Sequence, residues 1–265
     1  MAEQLLLTEK NERVCTIIFN RPEKRNALTP VMLFQLTELL KSIQEEAEIR
    51  CLVFRGAGDK AFTAGYDISA IPSDMTPEQA AALKVKSPFQ DVLNAVQDFP
   101  YPVIAMLNGH AFGAGCDLAM TCDVRIAAEN AQIGIPPAKL GIVYQPDGIQ
   151  RLINIAGLAN AKEIFFTGRS YSAPRAKEMG LVHYVLPQDQ LASFTYEMAR
   201  EISENAPLSL KGMKVIFNKI FLSQKLDPRD TEEIENMRLQ AFNSEDLKEG
   251  QRAFKEKRKP IFRGR

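Results

Sequence analysis

Asp117 stands in the stretch GHAFGAGCDLAM (Gly109–Met120), flanked by Cys116, Leu118, Ala119 and Met120. A carboxylate in apolar company must be paired, hydrogen-bonded or protonated. It is therefore either a working acid or base, or an acid favoured by the positive end of a helix; spacing alone leaves both open. The glycines ahead of it place unpaired N–H groups at a helix start. A second small-residue loop, AFTAGYDI (Ala61–Ile68), lets a ligand approach the backbone closely, where a free N–H can donate to an anion. Two such turns converging on one oxygen would form an oxyanion hole. Neither fits a GxGxxG dinucleotide fingerprint or a Walker loop. The third stretch, QIGIPPAKLGIVYQPDGIQRL (Gln132–Leu152), carries Tyr144 and Asp147 in a Gly/Pro-rich loop. Turn chemistry does not call for a phenol, so Tyr144 needs another reason to be there. Asp147, near the start of a helix, reads as a capping residue, with a base as the alternative.

The elements that must position these groups alternate along the first half of the chain. VCTIIFN (Val14–Asn20), IRCLVFRG (Ile49–Gly56) and YPVIAMLNG are β-branched and apolar, which predicts strands. Thr29 and Pro30 open a helix as N-cap and first helical residue, with Leu33, Leu36, Leu39, Leu40 and Ile43 on one face. TPEQAAALKVKSPFQDVLNAVQDF reads as helix interrupted before Pro88, and VRIAAENAQIGI as two short strands about a turn. Strand runs apolar on both faces predict a buried, largely parallel sheet. After Pro146 helices dominate, near 147–156, 159–166, 173–179, 188–205, 207–223, 228–240 and 244–256, broken by Gly157, Gly168, Gly180, Pro207 and Pro228. His183 falls in the short apolar stretch GLVHYVL, read as a strand, and His110 just ahead of the Gly-rich turn; both are read as structural.

The chain has 265 residues, enough for one large domain or a domain with an appendage. Its 33 basic and 33 acidic residues cancel, which argues against a nucleic-acid or membrane-surface role. Two histidines exclude a His-rich metal site. Cys15, Cys51, Cys116 and Cys122 lack CxxC spacing and read as reduced, buried thiols of a cytoplasmic protein. MAEQLLLTEKNERV lacks the features of a signal peptide.

PEKRNALT, KAFTAGYDI, GHAFGAGCDLAMTCDVRIAAENAQIGIP, KLGIVYQPDGIQRL and the final SEDLKEGQRAFKEKRKPIF resemble, in order and spacing, the crotonase (enoyl-CoA hydratase/isomerase) superfamily over essentially the whole chain. The resemblance implies an α/β fold, a spiral of ββα units over residues 1–200, with a helical C-terminal oligomerisation region over 201–265 that makes trimers or hexamers. It implies coenzyme A thioester substrates and enolate stabilisation, without a metal or redox cofactor. It places the oxyanion-hole N–H groups at Tyr66 and Ala114. It places the coenzyme A groove along Lys24, Arg25, Ala27, Ala64, Asp67 and Ile68. Lys257 resembles a basic residue that reaches a neighbouring subunit's nucleotide. The hydratases of the family carry glutamates at the positions of Asp117 and Pro137; here one is shortened and the other is a proline, which transfers no proton. That departure, with Tyr144, resembles the methylmalonyl-CoA decarboxylase-like branch, although that branch often carries His at the position of Tyr66. The resemblance thus implies a lyase acting on a malonyl-type thioester. An enoyl-CoA hydratase or isomerase using Asp117, Asp147 or a tyrosine is one alternative, and a non-catalytic coenzyme A-binding protein another.

Overall fold

The computed structural model describes residues 4–46, 48–67, 87–222 and 228–264. Two sheets form the body. The larger has strand order β1 (Leu6–Asn11), β2 (Val14–Phe19), β3 (Cys51–Gly56), β5 (Val103–Leu107), β7 (Val124–Ala128) and β10 (Tyr184–Leu186). The smaller runs β4 (Ala61–Thr63), β6 (His110–Phe112), β8 (Gln132–Gly134) and β9 (Tyr171–Ser172). Consecutive strands therefore alternate between sheets, β3 to β4, β5 to β6 and β7 to β8, and each pair advances by one position. This is the turn of a spiral. Pairing is parallel except for β1 with β2 and β8 with β9.

Strand β2 is buried along its whole length, and so is β5. Alternate residues serve opposite faces, as the two-residue strand period requires. Ile17, Phe19, Leu52, Phe54 and Ala105 face one core, and Val14, Cys51, Val53, Ile104 and Met106 the other. Helices α1 (Pro30–Glu45), α2 (Pro88–Asp98), α3 (Ala114–Thr121) and α4 (Pro146–Thr167) contribute to the first core; α6 (Gln188–Glu204) covers the second through Leu191 and Ala199. The short α5 (Ala173–Glu178) lies between α4 and α6, and α7 (Pro207–Leu222), α8 (Pro228–Phe242) and α9 (Glu245–Lys255) complete the chain. No helix among the described residues is long and apolar enough to cross a membrane.

The cap read at Thr29 is present, whereas Asp147 makes no capping bond. Thr29 accepts a hydrogen bond from the Met32 N–H at 3.2 Å, and Leu33, Leu36, Leu40 and Ile43 are buried beneath α1. Pro207 and Pro228 begin helices, and Gly157 breaks the helical path inside α4 with φ 77°. The part of the helical reading N-terminal to Ser87 lies outside the described residues from position 68 onward. The short strands β4, β6 and β9 and the edge strand β1 went unread. Of β1 only Leu6 is buried, so its sequence carries almost no apolar alternation. His183 is not in a strand: it immediately precedes β10, and its Nδ1 accepts the Arg125 N–H at 3.1 Å.

Candidate active site

The turn after β4 is held by a single parallel bridge between Leu28 and Tyr66. Leu28 N–H donates to the Gly65 carbonyl and Asp67 N–H to the Leu28 carbonyl, both at 2.8 Å. In that pattern Leu28 uses both of its groups, and the N–H of Tyr66 itself points to the opposite side. Gly65, at φ +93°, lies against the second turn: a Cβ there would stand 2.5 Å from the Phe112 carbonyl oxygen and 3.2 Å from the Ala114 nitrogen. A side chain would separate the two turns. Helix α3 starts at Ala114, and Asp117 N–H donates to the Gly113 carbonyl at 3.0 Å. The N–H of Ala114 thus precedes the first intrahelical bond and sits at the positive end of the helix. The two turns singled out in the sequence are neighbours.

Asp117 is 3 % exposed. One oxygen, Oδ1, accepts from an Arg151 guanidinium nitrogen at 2.5 Å, and the other, Oδ2, accepts the Tyr144 hydroxyl at 3.0 Å. Both partners come from the stretch that ends in GIQRL. Tyr144 lies just ahead of α4, its ring tilted against Phe165 at 5.1 Å between centroids. Arg151 lies on α4, one turn beyond Gly148, which faces the Tyr144 ring. Burial, and next the Asp117 charge, hold the Tyr144 phenol well above its ordinary pKa. Burial likewise raises that of Tyr66. Pro137, itself buried, opens the 3-10 turn Pro137–Leu140 upstream of Tyr144. Arg151 was missed in the sequence, although a buried carboxylate has to be paired, hydrogen-bonded or protonated.

The groove segment forms two facing strips. Lys24, exposed, ends the 3-10 turn Pro22–Lys24; Arg25 and Asn26 follow in left-handed conformation, φ 51° and 56°. The Arg25 carbonyl accepts the Ala64 N–H at 2.9 Å. Arg21 donates to the Ala27 carbonyl at 2.7 Å and to Asp67 at 3.3 Å. Lys24, Arg25, Ala27, Ala64 and Asp67 are therefore brought together, and Ile68 lies outside the described residues. Asn26 went unrecognised: fully buried, it accepts the Arg21 N–H and donates to the carbonyls of Ala57 and Ala61. A polar residue in a left-handed step is the signal it gave. Lys257 stands apart from these strips in the chain, exposed, beyond α9.

Asp147 is not a side-chain cap. It is exposed in the first turn of α4, whose N-cap is Gln145, without a side-chain capping bond. It adds negative charge at the helix N-terminus. His110 Nδ1 accepts the Gln132 N–H at 3.1 Å. All four thiols are free and buried. Among the described residues, no cluster of three or more His, Cys, Asp and Glu could hold a metal ion.

The profile of the enoyl-CoA hydratase/isomerase family matches residues 9–265. The chain is 35 % identical over 253 residues to the methylmalonyl-CoA decarboxylase of Escherichia coli (strain K12), covering 95 % of each chain. It is also 35 % identical over 254 residues to the short-chain-enoyl-CoA hydratase of Clostridium acetobutylicum, covering 96 % of this chain and 95 % of that one. Among solved structures, a methylmalonyl-CoA decarboxylase in complex with 2-nitronate-propionyl-CoA superposes with a TM-score of 0.92 at 34 % identity, over 100 % of both chains. An enoyl-CoA hydratase from Bacillus anthracis superposes at 0.77 with 36 % identity, over 99 % of this chain and 100 % of that one. With its two-sheet spiral and adjoining turns, the chain belongs to the enoyl-CoA hydratase/isomerase family, within the crotonase superfamily of acyl-CoA enzymes.

Proposed function

We propose that the protein decarboxylates a malonyl-type thioester, methylmalonyl-CoA or a close relative, through a thioester enolate. The observation that carries this reading is the engagement of Asp117: one oxygen faces Arg151 and the other Tyr144. Hydration commonly uses two carboxylates to move protons between water and the α-carbon. Here one carboxylate is tied to a buried cation, and by the resemblance to the family hydratases a proline, Pro137, stands where their second glutamate comes. The higher superposition on the decarboxylase than on the hydratase supports the same choice.

In this reading coenzyme A lies along Lys24, Arg25, Ala27, Ala64, Asp67 and Ile68, and the thioester oxygen sits between the N–H groups of Tyr66 and Ala114. The bond from the α-carbon to the carboxylate breaks, and its electron pair moves into the thioester to give an enolate. The two N–H donors stabilise the charge where it develops. Carbon dioxide leaves, and the α-carbon takes a proton from water. Tyr144 is a poor proton source, because a phenolate beside Asp117 would be a second buried negative charge. It forms the polar wall beside the departing carboxylate instead. No metal or redox cofactor has a part in this scheme.

Mass spectrometry of the products from methylmalonyl-, malonyl-, crotonyl- and 3-enoyl-CoA tests the reading. Propionyl-CoA from methylmalonyl-CoA is the expected result. Rapid hydration of crotonyl-CoA with methylmalonyl-CoA untouched would replace it with the hydratase reading.

We also propose a trimer-based assembly through the helical region 201–265, with Lys257 placed toward a neighbouring subunit's nucleotide. Leu208, Ile216, Phe217 and Ile220 expose more than half of their surface on α7, and an apolar patch of that kind marks a contact surface. A stable monomer in sedimentation at micromolar concentration would contradict it.

A further inference from the structure

We propose that Arg151 is a positioning residue of this site: through the Asp117 carboxylate it fixes the Tyr144 phenol and the first turn of α3, on which the Ala114 N–H stands. The inference deepens the decarboxylase reading and rests on it for the choice of substrate.

The carboxylate is the hinge of the arrangement. Its terminal torsion has a broad, two-fold preference and does not by itself set where each oxygen points. The guanidinium on Oδ1 removes that freedom, and Oδ2 is then directed at the Tyr144 hydroxyl. The phenol has one proton to give, and it gives it to Asp117. The direction of the hydroxyl is therefore set from behind, by Arg151, before any substrate arrives. The same helix supplies the floor under the ring, at Gly148, and the cation one turn later. Asp117 is also the residue whose N–H makes the first intrahelical bond of α3, to Gly113. Holding its side chain holds the turn that presents Ala114.

A purely structural role explains the pair less well. The two side chains are only 5 % and 4 % exposed, and a buried ion pair is often replaceable by apolar residues without loss of stability. A charge-neutral core would serve the fold as well. What the ion pair adds is direction, one helical turn from the proposed oxyanion donor. Arginine suits the task because its charge is permanent and its planar fork has a fixed geometry, whereas a lysine offers a point charge on a flexible stem.

The test is the double variant Arg151→Met/Asp117→Asn, which removes both charges and keeps an oxygen acceptor for Tyr144. The expected result is a melting temperature near that of the wild type, with kcat on methylmalonyl-CoA about 10- to 100-fold lower and KM within about twofold. Arg151→Lys keeps the cation without the fork and guards against a double variant that fails to fold; a kcat between those of the wild type and the double variant is expected. A readout independent of turnover is the 19F resonance of Tyr144 in protein labelled with 3-fluorotyrosine, assigned by its loss in Tyr144→Phe. It is expected to move in both variants. A kcat within about twofold of the wild type in a folded double variant, or a resonance that stays in place, overturns the proposal and leaves a structural ion pair. If the wild-type protein releases no carbon dioxide from methylmalonyl-CoA, the decarboxylase reading fails alone, and the resonance decides the role of Arg151.

Discussion

Gly148 and Tyr144 are in backbone-to-ring contact: a Cβ on Gly148 would stand 2.5 Å from Tyr144 Cε1 and 3.0 Å from Asp117 Oδ2. An alanine in a helix ordinarily gains about 0.5–1 kcal/mol over glycine. Here that gain is opposed by overpacking, which costs about 1–3 kcal/mol. Gly148→Ala must push the ring off its place against Phe165. Turnover is expected to fall at least about tenfold while the melting temperature moves little. Turnover at the wild-type level would mean that the Tyr144 ring position is irrelevant to the reaction.

Ala114→Pro separates the proposed oxyanion donor from the fold. Ala114 is the first residue of α3, the position where proline is best tolerated because that N–H has no helical partner. The variant is expected to keep its helix and lose about 100-fold or more in turnover. Circular dichroism and kcat, measured together, check it.

Asp117→Asn removes one member of a pair whose side chains are both buried and leaves the Arg151 guanidinium without a counter-charge. The loss in unfolding free energy is expected near 3–5 kcal/mol. Combined with Arg151→Met, the loss should shrink to a fraction of that. Urea unfolding of the wild type, Asp117→Asn, Arg151→Met and the double variant measures the coupling; additive losses would show that the two residues do not act as a pair.

Stability is expected to fall in alkali. Burial pushes the thiol of Cys15 to about 11 and those of Cys51 and Cys122 to about 12, and raises Cys116 further still. Tyr144 moves the same way, by burial and then by Asp117. Each folded value lies above the unfolded one, so the folded state binds these protons more tightly. The contribution is complete below the ordinary thiol value of 9.0 and is lost as pH rises toward 12. Urea midpoints at about pH 7 and about pH 10 should differ in that sense; equal midpoints would contradict it.

The tail after α9 is tied back by Glu249. Its carboxylate, held far below the usual range first by Arg258, accepts from Arg258, Arg252 and the Ile261 N–H. Glu249→Gln should release residues 256–264 to trypsin, a change visible as a shortened chain in limited proteolysis. An unaltered cleavage pattern would show that Asp246, which accepts from the N–H groups of Arg263 and Gly264, holds the tail alone.

Local chemistry determined much of this protein from sequence. Thr29 with Pro30 begins α1, Pro207 and Pro228 begin later helices, and the apolar runs of β2, β3 and β5 can only be buried strands. These signals act over a few residues, where capping, ring constraints and side-chain alternation decide the conformation. The strand β1 was silent because five of its six residues remain outside the core. The two small-residue turns were legible as glycine-bearing loops after strands, but their adjacency was not. It depends on the packing of Gly65 on the Phe112–Ala114 turn. Sequence also showed that Asp117 would be paired, hydrogen-bonded or protonated, yet could not choose among these or among 33 lysines and arginines. Only the tertiary structure selects Arg151, 34 residues away. The approach of α4 to α3 is set by the core that both helices bury, and that shared burial, not any local preference, brings the charges together.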